Sequence, residues 1–140
     1  IAIGDQHTLE LAEFGADETV RSIQIYATDA EYKKIGSGDF KPVVEFFKDV
    51  DLLIFDSMYT FSEGLKKEDW GHSSTLVGVD LAVEANVKKI AFFHHEPTYS
   101  DFKLADIFKQ TEKYLKLVAP KQDLKMLLSY EGLTIDLLQE

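Results

Sequence analysis

The sequence contains two uninterrupted apolar runs of strand length, Leu52-Leu53-Ile54-Phe55 and Ile90-Ala91-Phe92-Phe93, and they decide the fold class. A strand buried on one face alternates apolar and polar side chains. A run without alternation needs apolar cover on both faces, as strands of a parallel sheet have. Between the two runs, Leu76, Val77, Val79, Leu81, Ala82 and Val83 form a helical pattern, introduced by the N-cap residues Ser73-Ser74-Thr75 and stopped at Asn86. Upstream, Ser22-Ile23-Gln24-Ile25-Tyr26-Ala27 alternates into Thr28-Asp29. After a Gly36-Ser37-Gly38-Asp39 loop, Phe40, Val43, Val44 and Phe47 fall at helical spacing, with Pro42 in the first turn. Downstream, Ser100-Asp101 caps a helix carrying Leu104, Ile107, Phe108, Tyr114 and Leu115, which Pro120 ends. Met126-Leu127-Leu128-Ser129-Tyr130 and Leu133-Thr134-Ile135-Asp136-Leu137 flank Glu131-Gly132 and predict a closing hairpin. The fold class is therefore α/β, in the order β-α-β-α-β-α-β-β, with helices covering a sheet.

Two stretches resist this pattern. Residues 1–19 read as an irregular lead-in, with His7 in a loop and Phe14 to Thr19 a polar loop, so that the regular part is 20–140. Ser57 to Gly71 shows little periodicity, yet Met58, Tyr59, Phe61 and Trp70 are too apolar for a plain solvent loop, and long ordered loops are often functional.

Composition narrows the class further. With 140 residues, 45% hydrophobic and 29% charged, the expectation is one globular domain rather than a disordered chain. No apolar run approaches the ~20 residues of a membrane span, so no membrane partner is expected. The absence of cysteine excludes a disulfide scaffold, a thiolate-ligated zinc site and a thiol nucleophile, and fits a cytoplasmic location. Twenty-five acidic residues against fifteen basic ones, a net charge of −10, disfavour nucleic acid as a partner.

In open α/β sheets ligands bind beyond the carboxyl ends of the strands. Three successive predicted strands end in side chains able to bind metal or move protons: Asp29, Asp56, and His94-His95. His72 lies just before a helix start, in Gly71-His72-Ser73-Ser74. Two aspartates and two or three histidines on one rim suit a divalent ion such as zinc or manganese. The ordinary alternative is structural, since an Asp at a strand end often only accepts backbone N–H groups of a turn, and a His before a helix is often a cap or a surface residue. Adjacent strand residues point apart, so at most one of His94 and His95 faces a given site.

At these residues the chain resembles the metallo-β-lactamase superfamily, in the second half of its αββα sandwich, and in particular the branch of tRNase Z and related phosphodiesterases. Tyr26-Ala27-Thr28-Asp29-Ala30-Glu31 looks like the strand ending in the metal-bridging aspartate, and Asp51-Leu52-Leu53-Ile54-Phe55-Asp56 like the next strand with its terminal acid. Gly71-His72-Ser73-Ser74 is similar to the Gly-His-Ser-Thr motif, and Phe93-His94-His95-Glu96-Pro97 to the segment carrying the last metal-binding histidine. The resemblance implies that Asp29 and His94 ligate metal, with two divalent ions in a complete site: zinc, or else manganese or iron. It implies that His72 is a proton donor or phosphate contact, that Asp56 orients it, and that Ser73 and Ser74 touch substrate. Asp56 stands where the branch carries a carboxylate, and an Asp there reaches one methylene less far than a Glu.

The superfamily's His-x-His-x-Asp-His motif is absent from these residues, as is the His ligand that precedes the bridging aspartate. The expectation is a metal-dependent hydrolase, phosphodiesterase-like, whose N-terminal half lies in another part of the natural chain and without which this piece is inactive. A small phosphodiester or a cyclic nucleotide is the expected substrate, and a homodimer the expected assembly. The alternative is a non-catalytic or degenerate domain of the same fold that serves as a binding or regulatory module.

Overall fold

The computed structural model describes residues 7–14, 20–28, 41–66 and 71–137. Nine elements follow in order: β1 (His7–Phe14), β2 (Val20–Thr28), α1 (Lys41–Phe47), β3 (Leu52–Asp56), α2 (Phe61–Gly64), α3 (Thr75–Glu84), β4 (Lys89–Phe93), α4 (Asp101–Val118) and β5 (Lys125–Leu128). The five strands form one sheet in sequential order. β1 pairs antiparallel with β2, whereas β2, β3, β4 and β5 run parallel, with Tyr26 beside Ile54 and Ile54 beside Ala91. The fold is α/β, and the two uninterrupted apolar runs are its central parallel strands.

Their lack of alternation has the expected cause. Leu53, Phe55, Ile90 and Phe92 point into a core shared with Phe47, Val79, Leu81, Ala82 and Leu115 of the helices. On the other face, Tyr26, Ile54, Ala91 and Phe93 line a cavity of about 480 Å³. Helix α3 begins where the serines place it: the Ser74 side chain accepts from Val77 N, and Asn86, at φ 54°, ends the helix in the left-handed conformation common after helix C-termini. Ser100 caps α4 in the same way, accepting from Lys103 N. The two helices are joined by a buried contact, Thr75 Oγ1 with Thr111 Oγ1 at 2.7 Å, and by a half-buried one, Tyr114 OH donating to Asp80 Oδ1 at 2.8 Å. Burial raises the Asp80 carboxyl, and burial together with its acidic partner pushes the Tyr114 hydroxyl up to about 12.

Two elements differ from the sequence reading. Residues His7–Phe14 are not part of an irregular lead-in: His7 opens β1 rather than a loop, and the strand pairs along nearly the whole of β2. β2 is the first parallel strand, and its outer edge would otherwise carry unpaired backbone groups. Ile1-Ala2-Ile3 and residues 15–19 lie outside the described residues. The closing hairpin is also absent. Its first half is β5, paired parallel to β4, but 133–137 is not a strand. Leu133 and Ile135 instead lie against the cavity formed with Tyr26, Ile54, Ala91 and Phe93, and Lys89 Nζ donates to Asp136 O at 3.1 Å. Their period-2 pattern records contact with one face of a sheet rather than pairing within it. Among the described residues no helix is long and apolar enough to cross a membrane.

Helix α3 sits low over the sheet at Gly78, where an added Cβ would lie 2.8 Å from Phe55 Cδ1 and 3.0 Å from Phe92 Cε1. Both rings are fully buried and have no room to retreat. Gly78→Ala gains about 1 kcal/mol of helix propensity but overpacks the core by about 1–3 kcal/mol. A net loss of stability is expected on urea unfolding, with the denaturant slope unchanged.

Candidate metal and catalytic site

β3 and β4 are parallel neighbours, with Asp56 beside Phe93, so the chain leaves both strands at the same edge of the sheet. Asp56 is the last residue of β3 and its side chain is 0% exposed. An ionised carboxylate in that position needs donors on every side. Two come from backbone: Met58 N donates to Oδ1 at 3.2 Å and Ser73 N at 3.4 Å. The other two are imidazoles. His72 Nδ1 lies 2.9 Å and His94 Nδ1 3.0 Å from the same oxygen, Oδ2.

Local backbone geometry delivers both rings. Gly71 adopts φ 81°, a left-handed turn open to glycine, just before His72. His94 itself has φ 59°, which turns the chain sharply off the end of β4 and swings its ring toward Asp56. The two rings meet edge to face at 4.9 Å between centroids, and Tyr59 closes the other side of His72 at 5.8 Å. Tyr59 is buried, and burial followed by the charges of Glu96, Asp56 and Glu63 raises its hydroxyl, keeping it protonated.

Since a carboxylate only accepts, each Nδ1 in contact with it carries the hydrogen. Nε2 is then the lone-pair nitrogen of the neutral ring, the tautomer suited to metal binding or to receiving a proton. The ligand atoms of Asp56, His72 and His94 lie within 4.8 Å of one another. Two imidazoles and a carboxylate form a borderline-hard donor set that suits a divalent ion. The described residues thus contain a His/Asp group that fits a metal.

The expected site residues are placed as follows. Asp56 reaches His72 despite being an Asp, because the Gly71 turn and the Ser73 N–H bring the histidine to it. Asp56 also holds His94, a contact the residue series does not suggest. Ser73 and Ser74 are both buried, and the Ser74 hydroxyl is occupied in capping α3. Asp29 lies outside the described residues, as does Trp70. His95 is not part of the group: its Nδ1 lies 3.5 Å from Ser57 Oγ, burial lowers its pKa, and its Nε2 is buried with no hydrogen-bond partner among the described residues.

One part of the surroundings leaves only a local trace in the sequence. Thr60-Phe61-Ser62-Glu63 is a capping box at α2: Glu63 N donates to Thr60 Oγ1 at 3.3 Å, and Thr60 N to Glu63 Oε2 at 3.2 Å. The Ser/Thr-x-x-Glu spacing carries that signal. The same carboxylate accepts from Thr60 Oγ1, from Tyr99 OH and from Lys103 Nζ. These bonds, led by that of Thr60, bring Glu63 down from 4.5 to about 2.

No family model matches the chain. It is similar to curated relatives named ribonuclease Z. That of Metallosphaera sedula is 33% identical over 94 residues, covering 65% of this chain and 31% of the relative. That of Sulfurisphaera tokodaii is 39% identical over 80 residues, covering 54% and 27%. The chain therefore spans about a third of the length of these curated relatives. The crystal structure of the metallo-β-lactamase fold protein YhfI from Bacillus subtilis superposes with a TM-score of 0.58 at 16% identity, covering 95% of this chain and 50% of that one. The resemblance to the metallo-β-lactamase superfamily, tRNase Z-like, thus holds in sequence, and the fold is that of half a metallo-β-lactamase domain.

Two outcomes follow from this geometry. Asp56→Ala strands two backbone N–H groups and two imidazoles and is expected to cost at least about 2 kcal/mol in chemical denaturation. Asp56→Asn, which keeps Oδ1 as an acceptor, should lose less. Glu63 titrates lower when folded than unfolded, so its contribution is present above pH 4.5 and fades as the pH falls toward about 2. Glu63→Gln should lower stability most at neutral pH and flatten the acid limb in that window, so that the two profiles converge toward pH 2.

Proposed function

We propose that the full-length protein is a metal-dependent hydrolase acting on phosphodiesters, and that this chain supplies the Asp56–His72–His94 side of its centre. The observation that carries the reading is a single buried carboxylate oxygen facing two imidazole Nδ1 atoms at 2.9 and 3.0 Å. That arrangement directs both Nδ1 hydrogens to Asp56 and leaves both Nε2 atoms as lone-pair nitrogens.

His94, with Asp29, would hold the divalent metal in this reading, two ions in the complete site and zinc the first choice. Such ions supply a hydroxide at neutral pH and offset charge on the phosphoryl oxygens. His72, its Nδ1–H held by Asp56, would take up a proton at Nε2 and pass it to the leaving oxygen. Asp56 accepts from its Nδ1 and so fixes the orientation of the ring. Ser73 and Ser74 lie at the N-terminus of α3, where backbone N–H groups and the helix dipole favour a substrate phosphate. The remaining half of the fold would cover the face lined by Tyr26, Ile54, Ala91 and Phe93 and bring the further ligands.

The net charge of −10 favours a small phosphodiester or a cyclic nucleotide as substrate. RNA is the second reading, favoured by the relatives named ribonuclease Z, with the basic surface it needs lying elsewhere in the protein. Zero cysteines suit a cytoplasmic setting for either.

The test uses the full-length protein with bis-p-nitrophenyl phosphate and zinc or manganese. His72→Ala should lower kcat by about 100-fold or more while metal content stays near that of the wild type. Asp29→Ala and His94→Ala should each lose metal. Undiminished metal in both variants sinks the metal assignment, and an inactive but fully metallated wild type would favour a binding module.

A further inference from the structure

We propose that Glu63 is a positioning residue for the Asp56–His72–His94 group, its carboxylate fixing the segment after β3 against the segment after β4. The inference rests on the reading of that group as the reaction centre and adds the device that sets its dimensions.

The three side chains belong to three different segments. Asp56 ends β3 and continues into 57–64, His72 leads into α3, and His94 opens the stretch from β4 to α4. Among the described residues a few backbone bonds join these segments: Ser57 N donates to Phe93 O at 2.9 Å, Tyr59 N to Ser73 O at 3.2 Å, and Glu96 N to Met58 O at 3.3 Å. At the strand ends Ser57 Oγ also donates to Phe93 O at 3.0 Å; from α2 the side-chain tie is Glu63. From α2 it accepts Thr60 N and Thr60 Oγ1, and across the gap it accepts Tyr99 OH and Lys103 Nζ. Lys103 also lies over the Tyr99 ring, 3.4 Å from its centroid. The Lys103 pair is exposed and contributes little alone. The bonds from Thr60 and Tyr99 to an ionised acceptor are of the stronger, charge-assisted kind.

Why the tie matters for geometry rather than for folding follows from α2 itself. It is four residues long and buries none of them. One turn of helix does not hold its own position in water, and so little apolar area is lost if it shifts. Tyr59, two residues before α2, is the wall against which His72 rests. A displaced α2 would carry Tyr59 with it and loosen His72 against Asp56, while the segment 96–103 would relax at His94. Removing Glu63 should therefore disturb the reaction centre more than the global fold.

The experiment compares Glu63→Ala, Glu63→Gln and Tyr99→Phe in the full-length protein, reading kcat and KM on bis-p-nitrophenyl phosphate, the thermal midpoint, and the imidazole N–H resonances of His72 and His94. Glu63→Ala should lower kcat by about 10- to 100-fold, with KM within about twofold and both resonances displaced. Glu63→Gln, which keeps an acceptor oxygen, and Tyr99→Phe, which removes one donor, should fall between it and the wild type. Unchanged kcat and unchanged imidazole resonances in Glu63→Ala overturn the proposal, even if the midpoint falls. Should Glu63→Ala fail to fold, Tyr99→Phe carries the same test with one bond removed. If the wild type cleaves no phosphodiester, the functional reading fails separately, and the imidazole resonances still decide the role of Glu63.

Discussion

Everything near the sheet's carboxyl edge is organised by one buried charge. Asp56 lies at the end of a strand packed on both sides, where an unsatisfied carboxylate would be strongly destabilising. It accepts from Met58, His72, Ser73 and His94, residues up to 38 positions away from it in the chain. Satisfying it forces the Gly71 turn, the left-handed His94 and the start of α3 into register. The same four bonds that make the charge tolerable also define the orientation of both imidazoles. Structural necessity and chemical competence coincide in this one residue.

The parallel part of the fold was legible because its signals are local and strong. Apolar runs at 52–55 and 90–93, serine caps at 74 and 100, and Asn86 as a stop each have a mechanism that acts within a few residues, and each element forms where its signal lies. Elements decided by distant partners were harder. β1 forms along the edge of β2, and nothing within 7–14 announces that partner. The 133–137 stretch alternates as a strand would, but the surface it faces is the cavity over Tyr26 and Ile54, a fact of tertiary structure.

The site divides along the same line. Strand-end Asp56, His94 and the Gly-His-Ser-Ser turn could be marked from residue type and position, and the resemblance supplied roles for them. That Asp56 serves both histidines depends on how far β4 overhangs β3, which no spacing encodes. The Glu63 clamp likewise needs Tyr99 and Lys103, 36 and 40 residues away. Only its local half, the Thr60–Glu63 capping box, leaves a trace in the sequence.

The left-handed His94 has a consequence for how charge is distributed. In an ordinary strand the dipeptide His94-His95 would place its rings on opposite faces, each free to titrate in its own surroundings. Here the turn presses one ring onto a buried anion and leaves the other beside Ser57, where partial burial lowers its pKa. One backbone turn thus gives two adjacent imidazoles different surroundings: the first is bonded to Asp56, and the second, beside Ser57, is the one that burial disfavours as a cation.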